Sequence, residues 1–104
     1  MAYRPGMFDD SPGPSLHNRE ARLKRLKYRA WHRGFKEADL ILGPFADAYA
    51  DAMDEALLED FEALLQAPDQ DLYDWILERA GPEPAFDGPA LQAVRAYVAG
   101  LKAR

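Results

Sequence analysis

The chain has 104 residues, 48% of them hydrophobic, no cysteine, and a formal net charge of −5. This length suits one domain with a modest core, and the lack of thiols excludes disulfides, thiolate metal sites and thiol redox chemistry, which fits a reducing cytoplasm. No apolar run approaches the roughly 20 residues of a membrane span, the N-terminus lacks the apolar core of a secretory signal, and Asp9 and Asp10 argue against a transit peptide. The expectation is a soluble, cytoplasmic protein with no direct membrane insertion.

Residues 1–14 carry Pro5, Pro12, Pro14, Gly6 and Gly13 without periodicity and read as a flexible tail. The remainder, 15–104, reads as a single helical-bundle domain. A first helix is predicted from Ser15, a plausible N-cap, to Arg33, with Leu23, Leu26 and Ala30 on its inner face. Arg22, Arg25, Arg29 and Arg33 form a basic stripe beside that face, with Tyr28 and Trp31 on the other flank.

A second helix, about 35–52, turns Ala38, Ile41, Leu42, Phe45, Tyr49 and Ala52 inward. Its apolar stripe stays in phase through Gly43 and Pro44, which predicts one bent helix rather than two. Asp54 is placed to cap a third helix burying Leu57, Leu58, Phe61, Leu64 and Leu65, which Pro68 stops. Asp69 is placed to cap a fourth, with Leu72, Trp75, Ile76 and the stem of Arg79 inward, ended by Gly81 and Pro82. Residues 83–86 look extended, with Phe86 tucked under the bundle. A fifth helix opens at Asp87, Gly88 and Pro89 and carries Leu91, Val94, Val98 and Leu101 inward. No stretch alternates with period two over a useful length, so the fold class is all-α, a compact bundle of five helices.

The first two helices meet at Arg33-Gly34-Phe35-Lys36-Glu37. Gly34 can adopt the left-handed backbone that other residues resist. Arg33 and Glu37 suit the dipoles of the two helix ends, which on local grounds makes them a capping pair contributing about 0.3–1 kcal/mol each. The same corner could also present a guanidinium and a carboxylate to a partner from a rigid scaffold.

Charge is segregated along the chain. Between Arg19 and Lys36 the bases are opposed only by Glu20, whereas no basic residue occurs from Glu37 to Glu78. The basic first helix, with Tyr28 and Trp31 interleaved, supports one alternative, a small nucleic-acid-binding module. The acidic remainder opposes it by repelling phosphate within about 8–10 Å, and a further reading has the stripe neutralise the acidic face within the fold, above all through Arg22 and Arg25. Catalytic material is thin. His17 and His32 lie about 22 Å apart along one predicted helix at ~1.5 Å per residue, too far to share a metal ion. There is no zinc, di-iron or calcium pattern and no phosphate or dinucleotide loop. An enzyme, a metal site or a stably bound cofactor is therefore not expected.

These residues resemble the succinate dehydrogenase assembly factors that promote covalent flavin attachment. The hallmark Arg-Gly-x-x-Glu is matched by Arg33, Gly34 and Glu37, continued by Asp39, Leu40 and Leu42 to Phe45. A second block is Phe61, Leu64 and Leu65 followed by Pro68-Asp69-Gln70-Asp71-Leu72-Tyr73-Asp74-Trp75. The resemblance spans about 23–79. Many bacterial relatives carry a second arginine where this chain has His32. The resemblance implies a five-helix bundle and a partner, the flavoprotein subunit of succinate dehydrogenase, with fumarate reductase as a second candidate. The FAD belongs to that partner, whose histidine attacks the flavin 8α-methyl carbon after it loses a proton. On this view the helper, a monomer, holds the flavoprotein through Arg33, Gly34 and Glu37, with Trp31, His32 and Phe35 flanking.

Overall fold

The computed structural model describes residues 16–102, with side chains from Asn18 onward. The tail expected at 1–14 lies outside these residues. All regular structure in the described part is helical: α1 (Leu16–Trp31), α2 (Lys36–Tyr49), α3 (Glu55–Leu64), α4 (Asp69–Ile76) and α5 (Pro89–Lys102), with short 3-10 turns at Ala50–Ala52 and Pro84–Phe86.

The core forms where the apolar stripes converge. Leu26 and Ala30 of α1, Leu42 and Phe45 of α2, Leu58, Phe61 and Leu64 of α3, Leu72 and Trp75 of α4 and Leu91 and Val94 of α5 are almost wholly removed from water. Phe45 sits at its centre, edge-on to Phe61 at 5.3 Å and to Tyr97 at 5.6 Å. Loss of a buried ring of this kind costs about 3–5 kcal/mol. Among the described residues no polar or charged residue is buried as a whole, backbone included.

Two glycines of the corner region serve different ends. Gly34 has φ 90°, a conformation that penalises a Cβ, although nothing would crowd that Cβ. Gly43, inside α2, has no such strain, but a Cβ there would overlap the indole of Trp31. Its bare backbone lets α1 and α2 approach closely. Helix α2 runs unbroken through Pro44, as the in-phase stripe predicts.

Caps arrive by two routes. Asp54 accepts from the backbone N–H of Leu57 at 2.8 Å and starts α3, as expected from sequence. The start of α5 is instead held from another helix, because Asp60 of α3 accepts from the N–H of Ala90 at 2.9 Å. Arg95 of α5 returns a bond to the carbonyl of Trp75 at 2.8 Å, an oxygen at the end of α4 that also accepts from the N–H of Glu78 at 3.2 Å.

Several local expectations are corrected. Helix α1 ends at Trp31, two residues before Arg33, and the second helix gives way to a 3-10 turn at Ala50. Tyr49 and Ala52 are exposed on the wall of an open groove, although Ala50 and Met53 beside them are buried, and Leu101 is exposed in the last turn of α5, beyond Val98, the last buried residue of that helix. Helix α4 stops at Ile76, not at Gly81: Glu78 takes φ 61° and the N–H of Arg79 bonds the Asp74 carbonyl at 2.8 Å, a closing motif usually given to glycine. Arg79 is exposed and its guanidinium lies 5.4 Å from the Tyr73 ring centre rather than along the core. Residues 84–86 form a 3-10 turn rather than an extended stretch, although Phe86 does pack on Trp75 at 5.4 Å.

Candidate functional site

The corner between α1 and α2 is built by backbone bonds that one acidic side chain completes. The N–H of His32 still bonds the Tyr28 carbonyl at 3.0 Å, Gly34 reverses the chain, and the N–H of Asp39 bonds the Phe35 carbonyl at 2.9 Å. Asp39 then reaches back and accepts from the N–H of Arg33 at 3.0 Å. Four residues, 32–35, separate the two helices.

Arg33 turns inward. Its side chain is only 7% exposed and donates from Nε to Asp69 Oδ1 at 2.8 Å, from Nη1 to the Leu65 carbonyl at 2.6 Å and from Nη2 to the Ala67 carbonyl at 2.5 Å. A planar guanidinium with a fixed fork of donors suits this task, since it ties the carbonyls past the end of α3 and the first residue of α4 to the corner in one plane. Asp69 is thus occupied by Arg33 and makes no side-chain cap for its own helix. The local capping partner expected for Arg33, Glu37, is not its partner.

Glu37 is exposed on the first turn of α2, and no hydrogen bond or ion pair engages its carboxylate among the described residues. Leu40, one turn further on the same face, is 57% exposed. Gly34 and His32 are also exposed, with the His32 imidazole 4.3 Å from the ring centre of Tyr28, itself 66% exposed. Trp31 and Phe35 are half-buried: Trp31 donates to Asp47 at 3.0 Å, and Phe35 meets Tyr73 edge-on at 5.1 Å. The corner therefore divides the six residues singled out in the sequence. His32, Gly34 and Glu37 are presented to solvent, while Arg33 braces them from beneath, with Trp31 and Phe35 as half-buried supports.

Sequence reasoning missed Asp69 and Asp39 as parts of the corner, and Leu40 as an exposed apolar neighbour of Glu37. Leu40 had a readable signal, because it falls off the stripe of Ala38, Ile41, Leu42 and Phe45 and three residues from Glu37.

Much of the basic charge on α1 is spent inside the fold. Arg22 bonds Glu62 through both Nε, at 2.9 Å, and Nη2, at 2.7 Å, and meets Glu55 through Nη1 at 2.5 Å. The Arg22 hydrogen bond holds the Glu62 carboxyl below its usual range despite the opposing effect of burial, helped by the charges of Arg22, Arg29 and Arg25. Lys27 pairs with Asp51 at 2.9 Å, and Arg19 donates to the Met53 carbonyl at 2.5 Å. With Arg19, Arg22, Lys27 and Arg33 committed in this way, the nucleic-acid alternative finds no support. Internal neutralisation is the role of Arg22, as weighed from sequence, and Arg33 is more deeply engaged than its place at the corner suggested. Among the described residues no group of three potential metal ligands is gathered, and no helix is long and apolar enough to cross a membrane.

A family model described as the flavinator of succinate dehydrogenase matches residues 24–98, which include the whole corner and its tie to Asp69. The chain belongs to this family. Among curated proteins it is similar to the FAD assembly factor SdhE of Acetobacter pasteurianus, 41% identical over 78 residues, a match covering 75% of this chain and 72% of that one. It is also similar to the mitochondrial succinate dehydrogenase assembly factor 2 of Dictyostelium discoideum, 39% identical over 72 residues, covering 69% of this chain and 51% of that one. The mitochondrial factor of the same name from Arabidopsis thaliana is 32% identical over 82 residues, covering 78% of this chain and 44% of that protein. The chain thus spans about half the length of these mitochondrial relatives and most of the bacterial one. No solved structure matches it. Membership of the flavinator family agrees with the all-helical bundle.

Proposed function

We propose that this chain is an assembly factor that binds the flavoprotein subunit of succinate dehydrogenase and promotes covalent attachment of FAD to that subunit's histidine. Two lines support the reading: membership of the flavinator family, and similarity to relatives named as FAD and succinate dehydrogenase assembly factors. The single observation that carries it to a site is the Glu37 carboxylate, unpartnered among the described residues, beside exposed Gly34, on a corner braced by the inward-turned side chain of Arg33. Rigidity lowers the ordering cost of docking, so a small surface can hold its target in one geometry.

In this reading the chain carries out no bond-making step. The chemistry belongs to the flavin and its host protein, and the helper keeps the host's flavin domain aligned with water excluded. Glu37 docks on the flavoprotein, Gly34 lets the two backbones approach, and His32, Leu40 and the edges of Trp31 and Phe35 widen the contact. Arg33 acts through the corner by fixing its shape. The chain works as a cytoplasmic monomer, inserts in no membrane, holds no FAD of its own and serves fumarate reductase as a second flavoprotein.

The test is covalent flavin fluorescence of the denatured flavoprotein subunit from cells carrying Glu37→Ala or Glu37→Gln. A folded variant that loses flavinylation supports the site. Full flavinylation by folded variants of both kinds would remove Glu37 from it.

A further inference from the structure

The basic stripe of α1 divides in the fold. Arg22 bonds Glu55 and Glu62, and Arg33 bonds Asp69 and two carbonyls before it. Lys24, Arg25 and Arg29 instead stay exposed, and among the described residues no hydrogen bond or ion pair engages them. Glu62, the carboxylate on which Arg25 and Arg29 act through space, is already held by Arg22. With exposed Tyr28 and the His32 imidazole against its ring, these side chains make one outward face at spacings of three and four residues. The face is not smooth. A cleft of about 400 Å³ opens among Lys24, Arg25, Tyr28 and Arg29, and a second of about 460 Å³ runs from Arg29 and His32 to Gln66.

We propose that this face docks an acidic segment of the flavoprotein subunit, with one carboxylate on Arg25 and another on Arg29. The inference rests on the proposed function and carries its contact from the corner along α1, the two surfaces meeting at exposed His32. Four residues of helix place Arg25 and Arg29 about 6 Å apart along the axis. Alternate residues of an extended strand are about 6.6 Å apart, and positions i and i+4 of a helix match directly. A segment with acids at either spacing meets both guanidiniums, whose planar fork suits carboxylates.

Charge complementarity selects this occupant. Nucleic acid is disfavoured, because the free lysine and arginine charges from Lys24 to Arg29 cover only about 8 Å of helix in a chain of net charge −5. A second copy could offer its own acidic half. Basic face on acidic half is a head-to-tail contact, however, which leaves a free face at each end and runs on into a row of copies unless the rotation closes a ring. Exposed charges act on the rate of encounter more than on the lifetime of a complex. The signature of the stripe therefore lies in association and in its response to salt.

The test is stopped-flow association of the full chain with the isolated, flavin-free flavoprotein subunit, at about 50 mM and about 500 mM salt. Arg25→Glu and Arg29→Glu are compared with Lys102→Glu, which makes the same change of net charge at an exposed position in the last turn of α5. Expected is association slowed about ten-fold by either stripe variant at the lower salt, with the gap closing at the higher, while Lys102→Glu stays within about two-fold of wild type. Arg29→Gln, which removes the charge without reversing it, should slow association by a smaller factor and keeps the test open if the reversed variants fold poorly. Stripe variants that associate as fast as Lys102→Glu overturn this inference and leave the proposed function standing, whereas a wild-type chain that does not bind the subunit overturns both. Sedimentation covers the other occupants: self-association, or binding to duplex DNA, that wild type shows and Arg29→Glu loses would assign the stripe to a second copy or to nucleic acid and would equally overturn it.

Discussion

Arg33 Nε donates to Asp69 Oδ1 at 2.8 Å across 36 positions of sequence, so the corner between the first two helices is fastened to the start of the fourth. The same guanidinium holds the Leu65 and Ala67 carbonyls. Arg33 and Glu37, four positions apart in the motif, therefore face opposite demands. Arg33→Ala strands a carboxylate and two carbonyls and is expected to cost about 2–3 kcal/mol, below the full penalty of a broken buried pair because Asp69 is partly exposed. Glu37→Ala should change stability by less than about 0.5 kcal/mol. Urea unfolding of both, read beside flavinylation of the partner, separates them: Arg33→Ala loses stability and activity together, Glu37→Ala activity alone. A Glu37→Ala variant as unstable as Arg33→Ala would contradict the geometry.

How far the sequence could lead is clear from these two residues. Gly34 as a turn and Glu37 as an exposed carboxylate were legible, because backbone handedness and helix-face position are local properties. The stripes that build the core, the continuity of α2 through Pro44 and the Asp54 cap were legible for the same reason. The direction of Arg33 was not, since its partners lie beyond α2 and α3 and a long side chain can reach either way. Asp69 looked like a cap because it follows Pro68 at a helix start, but the guanidinium competes for its carboxylate. Tyr49 and Leu101 continue true apolar stripes, and periodicity alone does not say where the opposing surface ends.

Gly34 and Gly43 should fail differently when substituted. At Gly34 the strain is in the backbone and space is open, so Gly34→Ala and Gly34→Leu should cost similar amounts, about 1–2 kcal/mol. At Gly43 the added methyl meets the Trp31 ring, so Gly43→Ala must push the indole outward. Near-ultraviolet circular dichroism should change for Gly43→Ala and stay close to wild type for Gly34→Ala. The reverse pattern would show that the ring does not rest on α2 as described.

Glu78 occupies a left-handed position that costs a residue with a side chain about 1 kcal/mol. Glu78→Gly should therefore raise stability by about 0.5–1 kcal/mol, less whatever the glycine adds to unfolded-chain entropy. Thermal unfolding checks the sign. A clear loss of stability would mean that Glu78 makes a compensating contact.

The Arg22–Glu62 pair predicts a pH dependence. Because Glu62 is held below its ordinary range in the folded chain, the unfolded chain takes up the proton first as pH falls. Its contribution is fully present above the ordinary glutamate value of about 4.3 and is lost as pH drops through the lower folded value. Glu62→Gln should accordingly be less stable than wild type at pH 7, with the gap closing between about pH 4 and more acid conditions. Paired urea titrations across that range decide it, and a gap independent of pH would show that the pair is not stabilising through charge.

First-turn amides of a helix ordinarily lose their protection by fraying, since no residue of their own helix accepts from them. Ala90 is an exception, being wholly buried with its N–H held by a carboxylate of α3. Its hydrogen cannot exchange until α3 and α5 separate, so the opening turn of the last helix should exchange as slowly as the core does. A single amide near the edge of the secondary structure thereby becomes a reporter of the cooperative unfolding of the whole bundle.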